Sequence, residues 1–561
     1  MSEGMRAVAQ EQKGIICQEN GVYLSAVSLA ATKQGLVCIF RRSDQHCATT
    51  TDIMITRSGD NGSTWTAPDL LAHADWQNDE AIYVAPELNR LNDGRLALIV
   101  DRGVRRYEQE WASLYHWQLP ERGMSNYVFW SYDEGLSWDG PHQIDRIGGE
   151  PERIHLLSDG SLVYTATQSA RRTDERVVSA KPMGSLESYA YYCNVVMASI
   201  DGGKSWEQRS VLADDQLYSD VEVGLVELAP GTLMAVSRCG DMGGTMGQPS
   251  RMRISVDYGR TWSEPTLLPF YAQRPIPGML QSGRILITYR NFWGTSGNWA
   301  VAFDPRETLP YEPASFIWEE HRCRILDGVM VMTTGESSDP KPERGTYAGT
   351  AGAVAFACYP AEDAASRVEI EAELRVLEAD IHGCCISVGC WVRFEPGRVC
   401  LGDSPEVGFE LDTQQWHQYK LVRENSHLSI WVDGTLKLHT FIAGLENRYV
   451  HFGNRQSGIA HFQRNHAVSM WKSVSVSVHN RDDASIDWSW HAAQGYPDPF
   501  RRERIVCLDR NGSFFHGNSG YGGWTQLGDG TVVVADYTSG SDPVADMPFI
   551  RWYKLIEGVD I

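Results

Sequence analysis

Six short apolar runs, each opened by a turn that ends in glycine, set the rhythm of this chain. They are Leu36–Phe40, Arg95–Val100, Ser161–Ala166, Thr232–Ser237, Arg284–Tyr289 and Thr531–Asp536. The turns before them are Lys33–Gly35, Asn92–Gly94, Ser158–Gly160, Ala229–Gly231, Gln281–Gly283 and Gly528–Gly530. Another strand-like stretch precedes each turn. Alternating, β-branched sequence on both sides of a glycine turn predicts a hairpin. Six copies predict six radial blades, with each hairpin joining the innermost strand of a blade to its second strand.

A second repeat lies between these hairpins. Ser58–Trp65, Ser131–Trp138, Ser199–Trp206 and Ser255–Trp262 share the pattern Ser-x-Asp-x-Gly-x-Ser/Thr-Trp. Such a stretch reads as a turn in which Asp caps backbone N–H groups, Gly supplies a positive φ, and Trp packs between blades. The Asp is structural in this reading. This is the Asp box, and its recurrence resembles the sialidase (neuraminidase) superfamily of β-propellers.

The rhythm breaks after blade five begins. From Phe316 to His479 the strands are short and alternating, without the propeller turns. Trp416–Arg423, Leu428–Gly434 and Val450–Asn454 resemble the strands of laminin-G or concanavalin-like jelly rolls. The fold class expected is therefore all-β: a six-bladed propeller over 1–312 and 483–561, with a β-sandwich inserted over 313–482. The insert is expected to leave at the Asp-box end of blade five and to hang away from the opposite rim. Carbohydrate docking and a bracing or oligomer contact are equally open roles for it.

Counting from each turn glycine shows which residues can meet at that rim. With a strand rise of ~3.3 Å per residue, positions −9 and +7 reach the same end of the central channel. Position −9 holds Glu222, Arg274 and Tyr521 in blades four to six. Position +7 holds Arg42, Asp101, Thr167, Arg238, Arg290 and Tyr537. Same-side loops add His46 and His116. Three arginines at six +7 positions are notable in a chain of formal net charge −22.

That charge argues against nucleic acid and anionic membranes as partners, but leaves room for a local cationic pocket. No apolar run approaches the ~18 residues of a membrane span. The opening Met1–Gly14 has no apolar leader core, so a cytoplasmic protein is expected unless a leader was trimmed. The 12 Cys show no C-x-x-C pattern, and no metal or cofactor is expected.

The sialidase resemblance covers roughly residues 20–305 and 485–555. It implies a tyrosine on the last blade that attacks the anomeric carbon, a glutamate that polarises it, an aspartate acid/base, and three arginines on the substrate carboxylate. Glu222–Arg238 looks like the segment carrying the glutamate and second arginine, and Tyr521–Gly530 like the tyrosine segment. The first-arginine motif aligns with Tyr23–Ala26 and the third near Trp299–Ala302, both without arginine. By rim geometry, Arg42, Arg274 and Arg290 stand in. Asp44 in the first-blade loop and Asp101 at the rim are the candidate acids. The candidate set is thus Tyr521, Glu222, Asp44 and Asp101 for chemistry, with Arg42, Arg238, Arg274, Arg290, His46, His116 and Tyr537 for substrate. A phenol needs a neighbouring base to act at neutral pH, and a guanidinium fork suits a carboxylate.

Three functions compete. The first is an exo-acting retaining glycosidase of sialidase type that releases a terminal acidic sugar from a glycan. The second is a polysaccharide lyase on a uronic acid, with a Tyr or His taking the proton beside the carboxylate. The third is a non-catalytic glycan-binding protein.

Overall fold

The computed structural model describes residues 5–7, 13–46, 48–79, 81–103, 124–171, 173, 190–216, 218–239, 248–291, 297–317, 320–335, 354–358, 366–381, 383–442, 450–454, 466–479, 485–511, 518–540 and 547–557. Six antiparallel sheets follow one another around a channel, each with its innermost strand first. Blade 1 runs Tyr23–Thr32, Gly35–Ser43, Thr50–Ser58, Asp69–Asp75. Blades 2 to 4 repeat that order through Leu267. In blade 6 the strands Val532–Thr538 and Phe549–Glu557 come from the C-terminal end, and Lys13–Cys17 adds the outer strand. The chain ends are thus hydrogen-bonded to each other, and the ring is closed by backbone pairing.

Burial explains why the ring holds. An apolar cluster sits at each of the six blade-to-blade seams. Leu36, Phe40 and Val533 join blades 1 and 6, and Val226, Ile287 and Phe303 join 4 and 5. The Asp-box tryptophans belong to these seams, each packing toward the preceding blade: Trp65, Trp138, Trp206 and Trp262. The box Asp organises the turn that delivers the ring. Asp257 accepts from Thr261 N (2.9 Å), Thr261 Oγ1 (2.7 Å) and Ser255 Oγ (2.8 Å). Asp60, Asp133 and Asp201 repeat this geometry. Gly203 must lack a side chain, since a Cβ there would lie 2.7 Å from Trp130.

Register fixes the rim. Val221 pairs with Arg238, Gln273 with Arg290 and Gly520 with Tyr537, as the count from the turn glycine expects. Blade 1 differs. Its Gly35 is itself the first paired residue of the second strand, opposite Thr32, whereas in blade 4 pairing starts one residue past the turn glycine, Ala229 with Thr232. Ser25 therefore pairs with Arg41, one residue short of the expected Arg42. A one-residue slip turns a side chain to the other face. Arg42 accordingly points away and pairs with Glu19 (2.9 Å) and Asp52 (3.0 Å). Arg41 takes the rim place, and its Nε donates to Ser25 Oγ (3.1 Å) as Arg290 Nε donates to Gln273 Oε1 (3.0 Å).

Between the third strand of blade 5, Gly297–Phe303, and its fourth, Ile505–Arg510, the chain builds two further antiparallel sheets of seven and eight strands. Their inner faces share one core, with Phe356, Phe394 and Phe452 from one sheet meeting Leu374, Leu421 and Trp471 from the other. This pair does not hang clear of the propeller. Phe316, Ala355 and Ala357 pack on Tyr271, two residues before the rim strand Gln273–Met279. The return helix Pro499–Arg504 locks the junction: Glu312 accepts from Phe500 N (2.7 Å), and Arg501 and Arg502 both bind Asp498 and Glu320. The apolar contact and this ion network draw the two sheets onto the flank of blades 4 and 5. No described helix is long and apolar enough to cross a membrane.

Desolvation pushes the Asp257 carboxyl up, but the hydrogen bonds from Thr261 and Ser255 together outweigh it and hold the carboxyl down at about 2. A depressed native pKa contributes stability that is full above the unfolded value near 3.9 and is lost as pH falls toward about 2. Asp257→Ala is expected to lower stability by about 1–2 kcal/mol at pH 7. In thermal melts the gap to wild type should shrink as pH drops below about 4.

Candidate active site

The innermost strands begin with a bulge. Pairing skips between Val221 and Gly224, between Gln273 and Ile276, and between Ser25 and Ser28. At these bulges sit non-glycine residues in the left-handed region: Ala26 (φ 48), Glu222 (51), Arg274 (49) and Tyr521 (47), with Glu150 (48) at the matching place in blade 3. Such a conformation costs roughly 1–2 kcal/mol per residue, so five around one channel mark strain that the fold sustains at one place. The bulge turns each side chain inward, toward a common centre.

Tyr521 and Glu222 meet there. Tyr521 Oη donates to Glu222 Oε1 at 2.5 Å. Arg238 Nη1 donates to the same oxygen at 2.9 Å, and the Arg274 backbone N–H reaches Glu222 Oε2 at 2.9 Å. Arg290 Nη2 donates to Tyr521 Oη at 3.0 Å, and its guanidinium lies 4.3 Å from the ring centroid. The phenol oxygen is therefore held between a carboxylate and a guanidinium. Burial opposes the charge on Glu222, but Arg238, Arg274 and Arg290 outweigh it and hold the carboxyl below its usual range. Burial pushes the Tyr521 phenol up, with Arg290 opposing and Glu222 adding to the rise. At rest the proton sits on the phenol.

The other expected residues divide. Arg274 turns across the channel, where its Nη2 donates to Glu87 Oε1 (3.1 Å) and to Pro151 O (2.7 Å). It supports the floor of the site. Tyr537 is 1 % exposed and receives Arg290 Nη1 at 3.4 Å, behind the surface a substrate would touch. Asp101 is 0 % exposed, and its two oxygens accept Ala85 N (2.8 Å) and Glu150 N (2.9 Å). It is a backbone clamp between blades 2 and 3. Asp44 is exposed and bonds to Thr49 of its own loop (3.0 and 2.9 Å). His46 Nδ1 meets Tyr23 Oη at 2.9 Å, and its carbonyl accepts Arg41 Nη2 at 3.1 Å, so it steadies Arg41. His116 lies outside the described residues.

Two site residues escaped the count. Arg41 was hidden because Gly35, the residue counted from, is itself a paired strand residue in blade 1. Glu150 stands ten places before Gly160, not nine, and only the Gly149–Thr167 bridge aligns it with the others. Blade 2 carries Ala85 at this level, so the inward ring has a polar arc of four, Glu150, Glu222, Arg274 and Tyr521, and a small arc of two, Ala26 and Ala85. Among the described residues, no group of His, Cys, Asp and Glu is arranged to hold a metal ion.

Residues 49–270 match a family model described as a BNR repeat-like domain. The matched stretch lies wholly within the propeller. It runs from the third strand of blade 1 to the end of blade 4. No curated protein matches the chain. Among solved structures, a Dyadobacter fermentans protein of unknown function is 16 % identical, with 64 % of this chain and 95 % of that chain covered and a TM-score of 0.43. Trypanosoma rangeli sialidase in complex with sialic acid is 11 % identical, with 84 % and 95 % covered and a TM-score of 0.35. A Streptococcus pneumoniae NanB sialidase mutant is 12 % identical, with 59 % and 67 % covered and a TM-score of 0.38.

The Glu87–Arg274 pair beneath the site is buried on both sides. Glu87→Gln should lower stability by about 3–5 kcal/mol, measured by denaturant unfolding at neutral pH. Arg274→Gln should cost less, because a stranded carboxyl can take up a proton whereas a stranded guanidinium cannot lose one.

Proposed function

We propose that this protein is a retaining exo-glycosidase that releases a terminal acidic sugar, sialic acid or a related one, from a glycan. The observation that carries this reading is the Tyr521 phenol held between Glu222 (2.5 Å) and Arg290 (3.0 Å) at the mouth of a channel. In the first step Tyr521 Oη attacks the anomeric carbon and passes its proton to Glu222. The depressed Glu222 makes a weak base in the empty site. An arriving carboxylate engages the same guanidinium groups and weakens their hold on Glu222, so its proton affinity rises when substrate is in place. Arg290, hydrogen-bonded to the phenol oxygen, stabilises the charge that develops there. A neutral phenol also avoids bringing a second carboxylate against the substrate's own.

Arg41, Arg238 and Arg290 occupy register-equivalent places in blades 1, 4 and 5. Three guanidinium groups around one opening suit a planar anion. The Ala26 and Ala85 arc of the ring leaves space for a sugar beside the reacting phenol.

Tyr521→Phe is expected to reduce turnover roughly 10³-fold or more with ligand affinity retained, when sialylated and uronate-containing glycans are followed by product mass. A product gaining water supports the hydrolase. An unsaturated product, seen by its ultraviolet absorbance, would reassign the site to elimination; saturable binding without product would make it a lectin. Arg41→Lys should raise KM about tenfold or more, the loss of one bidentate carboxylate contact. Arg42→Lys should leave KM unchanged.

A further inference from the structure

The glycosidase reading requires a proton donor at the departing oxygen, and neither aspartate singled out from the sequence is free for that task. Asp101 spends both oxygens on backbone amides, and Asp44 is tied to Thr49. Glu150 is placed differently. It lies on blade 3, opposite blade 6 and Tyr521 in the ring of six. Its backbone is fixed by Asp101 Oδ2 at 2.9 Å and by the paired Gly149–Thr167 hydrogen bonds at 3.1 Å. Its left-handed bulge (φ 48) matches those of Glu222 and Tyr521 and turns it inward. Glu222, Asp101 and Glu87 all accept hydrogen bonds. The half-buried Glu150 carboxyl accepts none among the described residues.

Resting on the glycosidase reading, we propose that Glu150 is the general acid and base of this site, donating its proton to the leaving-group oxygen from the side of the channel opposite Tyr521. In the first step the Tyr521 oxygen forms a bond to the anomeric carbon, and its proton passes to Glu222. The glycosidic C–O bond breaks, and the departing oxygen takes the Glu150 proton. In the second step the Glu150 carboxylate takes a proton from water, whose oxygen attacks the same carbon. The bond to Tyr521 breaks, and Glu222 returns the phenol proton. One water is consumed, and the anomeric configuration is retained.

Electrostatics agree with this placement. Glu150 faces Glu222 and Arg238 of blade 4, Arg274 of blade 5, Tyr521 of blade 6 and Asp101 of blade 2. Burial and then the Glu222 charge push its carboxyl up to about 7, with Arg274 and Arg238 opposing. Two neighbouring carboxyls are thus driven apart, Glu222 ionised and Glu150 protonated, which is how one site separates a base from an acid.

The test uses the full chain and matched aryl and alkyl glycosides of sialic and uronic acids. An aryl leaving group needs no proton, whereas an alkyl one does. Glu150→Gln should lose roughly 10²–10⁴-fold in kcat/KM on the alkyl glycoside and less than about tenfold on the aryl one. The high-pH limb of the wild-type alkyl profile should be absent from the variant. Glu150→Gly, which suits the left-handed backbone, should regain turnover of the aryl glycoside with added azide, because azide attacks the tyrosyl intermediate without a base. Equal losses on both leaving groups, no loss on the alkyl glycoside, or no azide effect in the folded Gly variant would each overturn the role of Glu150. If the wild type cleaves none of these glycosides, the glycosidase reading itself falls and this role with it. That failure is distinguishable because it appears before any substitution is made.

Discussion

The site depends on a backbone conformation that most residues avoid. Glu150, Glu222, Arg274 and Tyr521 reach a common centre because each sits in a left-handed bulge at the mouth of its blade. An uninterrupted strand would project alternate side chains into the two seams with neighbouring blades, where Val223, Leu225, Ile276 and the other core residues lie. The bulge adds a third direction, toward the channel axis. Ring closure sustains that strain. Apolar seams hold every blade on both sides, and the outer strand Lys13–Cys17 ties the last blade to the start of the chain. The unfavourable conformations are therefore overdetermined by packing elsewhere.

Charge at the centre follows from the same geometry. Glu222 gathers the Tyr521 phenol, the Arg238 guanidinium and the Arg274 amide, so its ionised form is favoured despite burial. Arg274 turns its own side chain downward to Glu87, which leaves its backbone N–H, not its charge, in contact with Glu222. One residue thus serves the site with its main chain and the floor with its side chain. Such double use is possible only because the bulge separates the directions of the two.

Much of this was legible before folding. Glycine turns fixed the blade count, and counting from them located Glu222, Tyr521, Arg238 and Arg290 at one rim. What failed was register. Nothing in Thr32–Gly35 announces that Gly35 opens the second strand instead of ending the turn, so Arg42 was expected where Arg41 stands. The same kind of shift hid Glu150. Side-chain function on a strand has a period of two, and an offset error of one is enough to choose the wrong neighbour. Asp101 shows a different limit. Its level in the channel was right, yet it serves the Ala85 and Glu150 amides. A sequence can place a carboxylate at a depth but cannot say which amides will claim it. The flank contact of the inserted sheets rests on Tyr271 against Phe316, and a pair so distant in sequence leaves no periodic trace.

The asymmetry of the inward ring decides where a ligand can lie. Bulky polar residues fill blades 3 to 6, and alanines stand in blades 1 and 2. A uniform ring of large side chains would close the channel mouth, and a uniform ring of small ones would leave water in it with nothing to orient a ligand. Arg41, held by Ser25 and the His46 carbonyl, stands over the small arc. An acidic sugar lying there would set its anionic group toward Arg41, Arg238 and Arg290 and its anomeric carbon toward Tyr521. The glycosidic oxygen would then face blade 3. The one carboxyl of the ring left without a hydrogen-bond donor among the described residues belongs to that blade, and in the proposed reaction a proton delivered from it would meet the leaving group on the side away from the attacking phenol.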